Sequence, residues 1–245
     1  GERFVQTDLA ATIQYMADEE KAAAHGGRKA GLEAARAAFY VGDIAEKIIA
    51  HMESEGGYLS REDLANFRSQ IGPAIQGRWR DFQISTCGPW CQGPTLIESL
   101  IMIEKAGLDG LEQNSADYLH LLIEVIKCTF ADREYYYGDP DHVEVPLDRL
   151  HGDANIDEWV KRIDPLTAMP GMPVPNGINE PFDYPATEGL PGRDPDTSYL
   201  CAVDKWGNAF SATPSDGMWL TPVVPGTGLL LSARGCQSRT DPSHP

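Results

Sequence analysis

The chain has 245 residues, 42% of them hydrophobic, which is enough to bury a sizeable core in one large domain or two small ones. Asp and Glu outnumber Lys and Arg by 37 to 20, and the resulting charge of −17 would repel a phosphate backbone or an anionic membrane, so neither nucleic acid nor membrane is expected as a partner. No run of roughly 18 apolar residues is present to span a bilayer, and Gly1-Glu2-Arg3 has neither an initiator Met nor a signal-peptide pattern, so the natural N-terminus is expected to be absent.

In chain order, Leu9, Ile13 and Met16 fall on one face of a first helix and read as core. Asp43 is placed to cap a second helix carrying Ile44, Ile48, Ile49 and Met52, which Gly56-Gly57 should end. Ser60-Arg61-Glu62-Asp63 is a capping-box start for a short helix. From Ile75 through Trp79 to Phe82, Ile84 and Thr86 the pattern alternates like a strand pair. Two strong helices follow, Pro94 to Ala106 closed by Gly107, and Ser115 to Tyr137 closed by Gly138, the latter with Leu119, Leu122, Ile126 and Phe130 in line. Between Pro165 and Asp196 eight prolines in 32 residues rule out a helix or a central strand, which leaves a linker or exposed loop, expected to be mobile toward its end. Structure restarts at Thr197, where 197–203 and 209–213 flank Asp204-Lys205-Trp206-Gly207-Asn208 and read as a β-hairpin.

Five cysteines at irregular spacing, Cys87, Cys91, Cys128, Cys201 and Cys236, fit a reducing, cytoplasm-like compartment better than a disulfide framework. Cys87-Gly88-Pro89-Trp90-Cys91 is near a redox motif but has three intervening residues rather than two, and reads as structural. The six histidines lack metal-ligand spacing and no Gly-rich phosphate loop occurs, so neither metal nor cofactor is expected.

A flexible arm feeding a strand that begins with Thr is what an autoprocessing N-terminal nucleophile needs. Cutting Asp196–Thr197 would free an α-amino group with an unperturbed pKa of about 7.7–8.0, able to take the proton from its own residue's Oγ. By composition alone the plainer reading, Thr197 as a β-branched residue starting a strand, wins.

Thr197-Ser198-Tyr199-Leu200-Cys201-Ala202-Val203-Asp204-Lys205-Trp206-Gly207-Asn208-Ala209 resembles, without a gap, the segment that opens the small subunit of γ-glutamyltranspeptidases. Leu9 to Thr12, Phe39 to Ala45, Gly56 to Leu64 and Ala131 to Pro140 resemble the large subunit in family order, and Pro225 to Leu231 resembles the glycine-bearing turn after the nucleophile hairpin. The resemblance implies an α/β (α+β) fold, the four-layer αββα sandwich of N-terminal-nucleophile hydrolases, with this chain as its middle part. It divides the chain into a mainly helical large-subunit part (1–164), a proline-rich linker (165–196) and the start of the small subunit (197–245). The partners it implies are the remaining segments of the same precursor, which in the family supply a carboxylate-binding Arg and a Gly-Gly oxyanion hole, and a small amide substrate.

On this resemblance Thr197 is nucleophile and, through its freed amine, base, and Ser215 keeps the hydroxyl that supports it. Gly217 stands where transpeptidases carry an Asn that holds the glutamyl group, and Gln237 where an Asp pairs the substrate ammonium; a neutral amide cannot replace that charge, since hydrogen bonds between ionised partners are roughly twice as strong as neutral ones. Arg234 offers a fork to an anionic group. The implied activity is amide hydrolysis of a small acyl compound through an acyl-enzyme. A true γ-glutamyl transferase or hydrolase acting on glutathione-like substrates is the rival, and an uncleaved, non-catalytic relative a third reading.

Overall fold

The computed structural model describes residues 1–179, 197–215, 221–234 and 244. Eight α-helices and six strands are described: α1 (Thr7–Ala23), α2 (Arg28–Tyr40), α3 (Asp43–Glu55), α4 (Arg61–Asn66), β1 (Ile75–Trp79), β2 (Phe82–Thr86), α5 (Gly93–Ala106), α6 (Ala116–Tyr136), α7 (Leu147–Leu150), α8 (Asp153–Arg162), β3 (Leu200–Val203), β4 (Ala209–Ala212), β5 (Val223–Val224) and β6 (Leu229–Leu230). The strands form three antiparallel pairs, β1 with β2, β3 with β4 and β5 with β6. No described helix is long and apolar enough to cross a membrane. Residues 1–70 fold with 197–215 and 221–234 into one compact unit, and 71–179 form another.

In the first unit the stripe Ile44, Ala45, Ile48 and Ile49 of α3 is buried together with Leu64 and Val224, and Tyr15, Met16, Tyr40, Leu229 and Leu231 pack around it. Full burial of one such Ile stabilises by about 1.5–3 kcal/mol, so this stripe anchors the unit. Gly56, left-handed at φ 72°, ends α3 as the sequence predicts. The capping box at Ser60 also forms: Asp63 N–H donates to Ser60 Oγ and Ser60 N–H donates to Asp63 Oδ2, and bonds from Ser60 hold the Asp63 carboxyl below its usual range. Asp43 does not cap; Gly42 holds that position and Asp43 is the first helical residue, where its charge faces the positive helix end. Ile13 of α1 points outward and Thr12 is buried instead, because the Thr12 hydroxyl donates to Thr227 O at 2.9 Å. Helix α2 escapes the apolar pattern, since its packing face is alanine and Gly31, where a Cβ would come within 3.0 Å of Glu20 O on α1.

In the second unit β1 and β2 pair from Ile75↔Thr86 to Trp79↔Phe82, the predicted hairpin. It lies on α5 so closely that a Cβ at Gly77 would sit 2.4 Å from Ile97. Helix α6 is where the sequence places it, with Ser115 Oγ accepting from Tyr118 N–H, but it turns a different face inward. Leu119 and Ile126 are exposed while Glu124, Val125, Cys128, Thr129, Ala131 and Asp132 are buried. The two carboxylates go inside because donors meet them: Lys127 Nζ and Met169 N–H on Glu124, Trp159 Nε1 (2.7 Å) and Asn155 Nδ2 (3.0 Å) on Asp132.

The proline-rich stretch has no helix or strand within 165–179, apart from one bridge between Asp164 and Thr167. It is nevertheless held: Lys127 donates to Met169 O, and Arg162 Nη1 donates to Val174 O (2.8 Å) and Asn176 Oδ1 (2.7 Å). The mobility expected toward its end concerns 180–196, outside the described residues.

Glu98 of α5 is fully buried beside Asp132, and neither Glu98 oxygen nor Asp132 Oδ1 meets another N–H or O–H group among the described residues. A hydrogen bond between the two carboxyls therefore needs a proton of their own. Burial first, and the Asp132 charge second, push Glu98 well above the usual carboxylate range, so folding favours its neutral form. With the folded value raised, this contribution to stability is complete below the unfolded value of about 4.3 and is lost as pH rises toward the folded one. Glu98→Gln keeps a donor without titrating, so its unfolding free energy should gain on the parent above pH ~4.3, by up to about 1.4 kcal/mol per pH unit. Urea midpoints from pH 5 to 8 that differ between the two proteins by a constant would show that Glu98 is not the titrating group.

Candidate functional site

The β3–β4 hairpin is built around Asp204. Its Oδ1 accepts from the N–H groups of Trp206 and Asn208, both at 2.9 Å, its Oδ2 accepts from Asn208 Nδ2 at 2.8 Å, and these bonds, Asn208 first, hold its carboxyl below the usual range. Gly207 adopts φ 86°, a conformation that favours glycine. Asp204 N–H donates to Asn208 O at 3.0 Å, closing the turn and fixing the register, Val203 opposite Ala209 and Leu200 opposite Ala212.

That register has a consequence at the open end of the hairpin. Continued past the strands, it carries Ser198 opposite Pro214, whose carbonyl accepts from Ser198 N–H at 3.3 Å, and Thr197 opposite Ser215. Thr197 Oγ1 and Ser215 Oγ meet at 2.6 Å. Behind Ser215 stands Arg234, just past β6: Nη2 donates to Ser215 Oγ, Nε donates to Ser215 O at 2.9 Å, and Arg234 N–H donates to Ser232 Oγ at 3.2 Å. Thr197 is exposed, Ser215 and Arg234 half-buried.

Of the residues singled out in the sequence, Thr197, Ser215 and Arg234 are thus brought together, while Asp196, Gly217 and Gln237 lie outside the described residues. The sequence gives no sign that Arg234 meets Ser215, because the two come from different strand pairs with no shared register. Tyr199 and Trp206 are exposed, Tyr199 accepting from Ser211 Oγ and Trp206 lying under Lys205. Either hydroxyl of the pair can donate; a Ser hydroxyl has one hydrogen and two lone pairs, and with one lone pair occupied by the Arg234 cation the Ser215 hydrogen can point toward Thr197 Oγ1.

The family profile described as Gamma-glutamyltranspeptidase matches residues 1–244. The "Glutathione hydrolase-like YwrD proenzyme" of Bacillus subtilis (strain 168) is 28% identical over 246 residues, covering 100% of this chain and 41% of that protein. The "Acylase ACY 1 proenzyme" of Pseudomonas sp. (strain SE83) is 30% identical over 236 residues, covering 95% and 37%. Among solved structures, the cephalosporin acylase from Bacillus halodurans superposes with a TM-score of 0.68 at 28% identity, over 91% of this chain and 37% of that one. The chain therefore spans some two fifths of the length of these relatives.

Proposed function

Since the chain belongs to the gamma-glutamyltranspeptidase family, with the α/β fold of N-terminal-nucleophile hydrolases, we propose that it carries the nucleophile of an autoprocessing N-terminal-threonine amidohydrolase. The observation that carries the reading is the 2.6 Å contact between Thr197 Oγ1 and Ser215 Oγ at the mouth of the hairpin, with the Arg234 guanidinium behind it.

In the precursor, Thr197 Oγ attacks the Asp196 carbonyl, and the Thr197 amide nitrogen takes the Oγ proton and leaves as a free amine, giving an ester; water then hydrolyses the ester, releasing the Asp196 carboxylate and restoring the Thr197 hydroxyl. In the mature enzyme that amine accepts the Oγ proton while Oγ attacks the substrate amide. The amine returns the proton to the departing nitrogen, and water releases the acyl group. Ser215, polarised by Arg234, donates to Oγ as negative charge develops there, so the interaction is strongest where the charge is greatest. Segments of the precursor outside this chain supply the oxyanion donors.

The acyl group is a small carboxylate-bearing one rather than γ-glutamyl. Gln237 and Gly217 lack the ammonium-pairing charge and the glutamyl-holding amide of transpeptidases. The Nη1 end of Arg234, turned away from Ser215, is the donor edge available to a carboxylate. The names of the glutathione hydrolase relatives favour a second reading, a γ-glutamyl hydrolase or transferase with the same nucleophile. A panel of N-acyl amides and γ-glutamyl anilides separates the two. A carboxylate-bearing amide should give the highest kcat/KM, and Gln237→Asp should raise the γ-glutamyl value by on the order of a hundredfold, as removing one partner of a desolvated charge pair costs a few kcal/mol. A γ-glutamyl substrate ranking first with Gln237→Asp inert would overturn the substrate assignment.

A further inference from the structure

Cys87 and Cys91 bracket the corner between β2 and α5. Cys91 N–H donates to Gly88 O at 3.1 Å, closing a turn over Gly88, Pro89 and Trp90, and the two sulfurs lie 2.9 Å apart. The approach comes from the backbone. At Gly93 the chain folds back so tightly that a Cβ would fall 2.6 Å from Cys87 O and 2.7 Å from Thr86 Cβ. Gly93 N–H donates to the Cys91 sulfur, and burial keeps that thiol protonated, its pKa pushed up to about 11. Cys87 is exposed, Cys91 half-buried, and Trp90 between them stands out into solvent.

We propose that Cys87 and Cys91 form a reversible dithiol–disulfide pair that takes low-molecular-weight disulfides as its oxidant and locks the β2–α5 corner when oxidised. Cys87, the accessible sulfur, attacks a disulfide RSSR as thiolate, forming a mixed disulfide and releasing RS⁻. RS⁻ takes the Cys91 proton, and the Cys91 sulfur attacks the Cys87 sulfur, releasing the second thiol. Two protein thiols are oxidised and one RSSR is reduced to two RSH. A small torsional adjustment brings the sulfurs to the bonding distance of about 2.05 Å. Among the described residues, neither of the other two cysteines has such a neighbour sulfur: Cys201 is exposed on β3, and Cys128 is buried, its thiol pushed up to about 12 by burial.

The test equilibrates the full-length protein with bis(2-hydroxyethyl) disulfide, which contains no amide for the enzyme to consume, then quenches with acid, alkylates the remaining thiols and weighs peptides. The peptide holding both cysteines should lose about 2 Da and carry no adduct, whereas Cys201 should retain an adduct of about 76 Da. In Cys91→Ser the adduct should persist on Cys87, at least roughly tenfold above the parent, because the intramolecular resolving thiol is gone. A parent protein that keeps a stable adduct on Cys87, or leaves both thiols alkylated under a ratio that modifies Cys201, would overturn the proposal.

Discussion

Thr197→Ala in the full-length precursor should give one uncut chain with no measurable turnover, where the parent gives two fragments, the second beginning at residue 197. The substitution removes only Oγ1 and a methyl from an exposed side chain, so folding should survive it. What is lost is the atom that attacks, first on the Asp196 carbonyl and then on substrate. Deleting the nucleophile of a covalent hydrolase costs on the order of 10⁶-fold in kcat, and here the absent cut also withholds the amine that serves as base. Thr197→Ser is the control, since it keeps a hydroxyl in the same place. Intact mass and N-terminal sequencing read the outcome. An alanine variant that still yields a fragment starting at residue 197 would remove Thr197 from the mechanism.

Ser215→Ala should reduce kcat by about 10²–10³-fold, the loss that follows removal of one hydrogen-bond donor aimed at developing charge. Ser215→Thr should recover most of it. Arg234 divides the explanations further. Acting through Ser215, it is a positioning residue, and Arg234→Ala should lower kcat, with processing slowed as well, because both steps use the same Oγ. Binding the substrate carboxylate through Nη1, it should raise KM and leave processing untouched. Arg234→Lys is informative beside it: a single ammonium reaches one acceptor but cannot span Ser215 Oγ and Ser215 O together, as Nη2 and Nε do. Equal kcat and equal processing rates in Ser215→Ala and the parent would mean that the 2.6 Å contact has no catalytic role.

Legibility in the sequence follows the range of the forces involved. Elements set by neighbours along the chain can be read directly: the Ser60 capping box, the left-handed Gly56 and Gly107 at helix ends, and the two hairpins. The pairing of Thr197 with Ser215, which in the sequence rests on the family resemblance, follows in the structure from the register counted outward from the Asp204 turn. What could not be read depends on distant partners. Which face of α6 is buried is set by such partners: Glu124 and Asp132 find donors on Lys127, Met169, Asn155 and Trp159, and only the folded chain brings Asn155, Trp159 and Met169 there. Ile13 lost its place to Thr12 through a bond to Thr227, 215 residues away. The Arg234 contact with Ser215 joins residues from two separate strand pairs, and no local pattern announces it.

That bond from Thr12 to Thr227 has a further meaning. The first unit is assembled from residues on both sides of the 196–197 bond: α3 supplies Ile44 and Ile48, and Val224, Leu229 and Leu231 close over them from beyond the proposed cut. A Cβ at Gly228 would come within 2.5 Å of Leu9 N, so the two sides are in intimate contact. Once cut, the halves of one hydrophobic core belong to different molecules. Assembly that was unimolecular in the precursor becomes bimolecular in the product, and its yield acquires a dependence on concentration that it did not have before. By mass action, refolding of an uncut chain would not depend on its concentration, whereas fragments separated by the proposed cut would have to find each other. The proposed cut would then act as a ratchet: folding would come first, and cleavage would remove the easy way back.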